Sequence, residues 1–137
     1  MTVHRGEAEK AVLGMVSYDF GESTAALFEV DRLINESHGS AEARAWIEEE
    51  LARLLDGGAS LAAKQEACRR LWRIGTDASL SVLARMLGDE DPRVVAAACY
   101  AIGRRPSERA DEVLRAALRS ACEPCRAAIE NLIEDRA

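Results

Sequence analysis

The chain has 137 residues, long enough for one domain with a real core. Apolar residues make up 48% and aromatics only 4%, a bias that suits closely packed helices better than a sheet. The formal charge is −6, and an acidic chain is a poor non-specific binder of nucleic-acid backbone, whose contacts come from clustered Lys and Arg.

From the N-terminus, residues 6–17 read as a first helix with Ala8, Val12, Met15 and Val16 on one side, broken by YDFG at 18–21. Residues 22–37 read as a second helix with Ala26, Leu27, Val30, Leu33 and Ile34 as its stripe. Ser40 is placed to cap a third helix over 41–55, which buries Ala45, Trp46, Ile47, Leu51, Leu54 and Leu55 and leaves Glu48, Glu49 and Glu50 wet. After DGGAS, with Ser60 as cap, a fourth helix covers 61–74 and Gly75 closes it. Thr76 caps a fifth over 77–87, with Leu80, Leu83, Ala84 and Leu87 apolar.

The most structured stretch is Gly88–Arg105, GDEDPRVVAAACYAIGRR. Asp91 can cap a helix, Pro92 fits its first turn, and Val94, Ala98, Ala101 and Ile102 form the stripe. Gly103 is expected to end it by taking positive φ. Pro106 and Ser107 open a seventh helix carrying Val113, Leu114, Ala117 and Leu118. Pro124 lies in the first turn of an eighth, with Ala128, Ile129, Leu132 and Ile133 apolar. Ile-Gly at 74–75 recurs at 102–103, an offset of 28, and Pro92 recurs as Pro124, an offset of 32. Repeated helix pairs of this kind must stack, since neither helix can bury its face alone.

DPRVVAAACYAIG at 91–103 resembles the second helix of HEAT-like repeats, of the kind also found in phycobilisome lyase-type proteins. Asp91, Pro92, Val94, Ala98, Ala101 and Gly103 match the family pattern, Ile102 stands for a Leu, and Val95 replaces the customary arginine. KQEACRRLWRIGTDASLSVLARML at 64–87 is similar to a bacterial HEAT-repeat array. The resemblance implies an all-α HEAT-like α-solenoid, a right-handed superhelix of about four antiparallel helix pairs. It would form one domain over 1–137, with 40–137 as three HEAT-like pairs and 1–39 as a less regular N-terminal pair. It also implies a scaffold that binds a protein partner.

The charge is uneven: residues 1–60 carry 5 Lys/Arg against 12 Asp/Glu, net −7, and residues 61–137 carry 13 against 12, net +1. In the second half Arg69, Arg70, Arg73, Arg93, Arg104, Arg105 and Arg126, with Trp72 and Tyr100, are candidates for a cationic face lined by the second helices. Arginine and aromatic residues are what binding hot spots favour. The expected partner is an acidic protein segment, or the chain's own acidic N-terminal half. The competing reading is a solvated face with ion pairs to Glu66, Asp77 and Glu130.

Two rival chemistries are weaker. Cys122-Glu-Pro-Cys125 at a helix start could lower a thiol pKa and support redox or lyase-like activity, but no βαβ unit surrounds it. Cys68 and Cys99 lie on separate helices and His4 and His38 in the first pair, so no zinc site with matched spacing is expected. No catalytic residue, metal or cofactor is nominated. A nucleic-acid-binding solenoid is a third reading that the net charge opposes. With no apolar run of about 18 residues, no leader-like N-terminus and thiols compatible with a reducing compartment, a soluble cytoplasmic protein is expected.

Overall fold

The computed structural model describes residues 3–19, 24–103, 105, 107–119, 121 and 123–136. Its helices are α1 (Arg5–Leu13), α2 (Ala25–Glu36), α3 (Ala41–Asp56), α4 (Leu61–Ile74), α5 (Leu80–Met86, led by a 3-10 turn at Asp77–Ser79), α6 (Pro92–Gly103), α7 (Glu108–Leu118) and α8 (Glu123–Arg136). No strand occurs among the described residues, and no helix there is long and apolar enough to cross a membrane. Phe20, Gly21, Arg104, Pro106 and Cys122 lie outside the described residues.

Side-chain caps start the helices where the sequence places them. Ser40 accepts from the Ala43 N–H at 3.2 Å, Ser60 from Ala63 at 3.1 Å, and Thr76 from Ala78 at 3.2 Å. The Asp91 carboxylate accepts from the Arg93 N–H at 2.9 Å, which leaves Pro92 at the position that needs no donor. Ser107 accepts from Ala110 at 3.2 Å. Each such cap contributes on the order of 1 kcal/mol.

Two compact units divide the chain, Met1–Ala67 and Cys68–Ala137, and the boundary falls inside α4. In the first, α1 packs on α2 and α3. Its core is Ala8, Val12, Met15, Leu27, Val30, Leu33, Ile34, Ile47, Leu51 and Leu55. Ser60 ties the start of α4 to the segment after α1 by donating its N–H to the Val16 carbonyl at 3.0 Å and its hydroxyl to that of Tyr18. Gly39 takes φ 86° in the turn between α2 and α3, the one described residue with positive φ. Glu48 departs from expectation: it is buried, 4% exposed, rather than wet. Position 48 precedes Leu51 by three residues and Leu55 by seven, so it falls on the edge of a buried stripe wider than the apolar residues alone suggest.

In the second unit α5 adjoins α6 and α7, and α6 adjoins α7 and α8. First helices therefore lie beside first helices, and second beside second, in two layers. Buried residues 63, 67, 70, 71 and 74 of α4 recur 31 positions on as buried 94, 98, 101, 102 and 105, and again in α8 as buried 125 and 129 and half-buried 132, 133 and 136. This register of 31, also the spacing of the Thr76 and Ser107 caps, replaces the offsets of 28 and 32 read from glycines and prolines.

An arginine from the following repeat locks the α4–α5 turn and the α6–α7 turn. Arg105 donates Nη1 to the Leu71 carbonyl at 3.1 Å, Nε to that of Thr76 at 3.1 Å, and Nη2 to the Ser79 hydroxyl at 2.9 Å. Thirty-one residues later Arg136 does the same, to the Gly103 carbonyl at 3.0 Å, the Ser107 carbonyl at 3.2 Å and the Asp111 carboxylate at 2.6 Å. The glycines serve this packing. Gly103 does not take positive φ; a Cβ on it would stand 2.6 Å from Leu132 Cδ1. Gly75 likewise leaves room for the Arg105 guanidinium.

Candidate interaction face

The residues nominated for a partner face separate into three groups. Arg69 and Arg73 are exposed on α4, one turn apart, and Trp72 is half-buried between them in sequence. Tyr100 on α6 is 56% exposed and stacks on Trp72, with ring centroids 5.3 Å apart and planes inclined at 19°. An offset stack of this kind adds about 0.5–1.5 kcal/mol beyond its buried area. It leaves the tyrosine as a large, stiff, amphipathic surface. These four residues are brought together.

Arg93 is exposed at the start of α6, but it folds back on Asp91, donating Nε at 3.1 Å and Nη2 at 3.0 Å. The Arg93 guanidinium and N–H hold the Asp91 carboxyl below its usual range. Arg93 is thus part of the cap. Arg126 is half-buried and stands in register with buried Val95, away from the row that contains Tyr100.

Arg70 and Arg105 are corrections. They are 8% and 4% exposed and belong to the interior. Position 70 is in register with buried Ala101, and Arg105 spends three nitrogens on the α4–α5 turn. A guanidinium is weakly hydrated and presents five donors in a planar fork, which lets it enter a protein interior where carbonyls converge.

The 31-residue register also shows what reading the arginines alone left out. Arg69 aligns with Tyr100 and Asn131, Trp72 with Gly103 and Glu134, and Arg73, two register steps on, with Asp135. Asn131, Glu134 and Asp135 are all exposed, as are Ala96 and Ala127, one turn before Tyr100 and Asn131. The face therefore runs from cations on α4, across an aromatic and small-residue strip on α6, to anions on α8.

Cys68 and Cys99 are unsuited to nucleophilic chemistry. Cys68, Cys99 and Cys125 are buried and unbridged. Burial pushes Cys68 up to about 12, and burial with the neighbouring Cys125 pushes Cys99 up to about 11. A reactive thiol needs the opposite shift. His4 is the N-cap residue of α1, its N–H donating to the Glu7 carboxylate at 3.1 Å, and His38 is exposed in a turn.

Stacked antiparallel helix pairs, with caps, packing glycines and a recurring buried stripe, define an all-α helical-repeat protein. The family model for HEAT repeats matches residues 48–133, from the middle of α3 into α8, and the chain belongs to the HEAT-repeat family. No curated protein and no solved structure matches the chain.

Proposed function

We propose that this chain is a non-enzymatic interaction module that holds a protein partner on the face of α4, α6 and α8. The observation that carries the reading is the Trp72–Tyr100 stack, exposed at Tyr100 and flanked by the exposed Arg69 and Arg73. A stiff aromatic pair loses little entropy on binding, and arginine beside it can pair with carboxylates bidentately. The cations on α4 suit an acidic stretch of the partner. The membership in the HEAT-repeat family supports protein binding as the general role. The lyase-type part of the resemblance rests on the same Asp91–Gly103 motif and adds no site of its own; a chaperone-like grip on a partner segment is the form in which it fits this face.

The test is affinity capture from the native host with the wild-type chain, Tyr100→Ala and Arg69→Glu/Arg73→Glu, each first checked for helicity by circular dichroism. A partner held by the wild type should be lost with either variant. Capture that persists with Tyr100→Ala rejects the face.

A further inference from the structure

The charge order along this face says more about the occupant than its general role does. Cations stand on α4, at Arg69 and Arg73, and exposed acids stand on α8, at Glu134 and Asp135 with Glu130 beside them. Between them α6 offers Tyr100 and the exposed methyl of Ala96, with Ala127 following on α8. A uniformly acidic segment long enough to cross the face would meet Arg69 and Arg73 at one end and be repelled by Glu134 and Asp135 at the other.

We propose that the occupant is a charge-polarised extended segment: acidic where it meets α4, apolar or aromatic over Tyr100, and basic where it meets α8. This rests on the face being the binding surface, and it replaces an all-acidic partner with a bipolar one. Packed helices lie about 8–10 Å apart, so the step from α4 to α8 is roughly 18 Å, or about six residues of extended chain. The acidic and basic residues of the segment should therefore be about six positions apart, with the apolar anchor midway. Opposed potentials of this kind fix register and reject wrong partners.

A random peptide library displayed on phage and panned against the full chain tests this. The expected result is enrichment of sequences with an apolar or aromatic centre, acids on one side and bases on the other. Panning against Glu134→Lys/Asp135→Lys should turn the basic end acidic while the end facing Arg69 and Arg73 stays acidic. The wild-type-selected peptides should bind that variant roughly tenfold more weakly in fluorescence anisotropy. Uniformly acidic peptides that require Tyr100 but ignore Glu134→Lys/Asp135→Lys overturn the polarity and leave the face standing. Peptides indifferent to Tyr100→Ala, or no enrichment at all, overturn both.

Discussion

Gly103 could be any residue by backbone conformation, yet a side chain there would have to push the end of Leu132 aside. A Cβ there lies 2.6 Å from Leu132 Cδ1, so α6 and α8 meet at close range because this position has no side chain. Gly103→Ala should lower stability by about 1–3 kcal/mol through overpacking, measured by urea unfolding. Leu132→Ala should relieve part of that loss, so the double variant should cost less than the sum of the two singles. Gly75→Ala should be worse, because its Cβ would lie 2.5 Å from the Leu71 carbonyl, which is backbone and cannot rotate away, and would also overlap Arg105. At this scale Cys68 and Cys99 give a pH signature. Their pKa values rise in the folded chain, from 9.0 to about 12 and about 11, so the unfolded chain releases those protons first. Their burial stabilises fully below pH 9, and stability should fall as pH rises from there toward 11 or 12. Urea midpoints measured across that range should show the decline, and Cys68→Ala should flatten it. Midpoints unchanged between pH 8 and 11 would contradict the burial of these thiols.

Between elements, the arginine locks are polar connections from one repeat back to the one before it. Arg105→Ala would leave the Leu71 and Thr76 carbonyls and the Ser79 hydroxyl without that donor in a buried site. Each keeps a local partner, since the Leu71 carbonyl also accepts from the Gly75 N–H and the Thr76 carbonyl from the Ser79 N–H and hydroxyl, so the variant should lose roughly 1–3 kcal/mol in urea unfolding. Arg136→Ala should cost less, because its side chain retains more access to water than Arg105. Arg105→Lys should not restore the loss, since one ammonium cannot reach three acceptors in a fork. An Arg105→Ala chain as stable as wild type would show the lock to be incidental. Helix starts were legible in the residues because capping is local: a Ser, Thr or Asp meets an N–H two or three positions on. The juxtaposition of Arg69, Trp72 and Arg73 was legible too, since they share one helical side. Arg105 was not, because its partners are mainly backbone carbonyls about 30 residues away, and carbonyls leave no trace in a residue pattern. Glu48 escaped notice for a similar reason: an acid reads as surface wherever its surroundings are unseen. The acidic end of the face was hidden by the repeat offset, since punctuation by glycine and proline drifts by a few residues while the buried stripe keeps its spacing.

Across the whole molecule the two compact units share one covalent helix, α4, whose Ala62, Ala63 and Ala67 belong to the first core and whose Cys68, Leu71 and Ile74 belong to the second. Helices of this length are marginal in isolation, so half of α4 cannot persist cheaply when the other half is lost. Trp46 reports on the first unit and Trp72 on the second, and the chain has no other tryptophan. Single-tryptophan variants, Trp46→Phe and Trp72→Phe, should therefore give coincident unfolding midpoints. Ala67→Pro should separate them, because proline removes a helix hydrogen bond and clashes with the preceding turn at about 3 kcal/mol or more. Separate midpoints without the proline would show that α4 does not couple the units.

The backward reach of Arg105 has a consequence for biosynthesis. The linker it fastens leaves the ribosome well before the arginine does, and at about 5–20 residues per second the interval is on the order of 2–6 s. During that interval the nascent chain holds an unfastened joint whose carbonyls have only their local donors and water. A pause placed within that window would lengthen the exposure, and one placed after Arg105 has emerged would not.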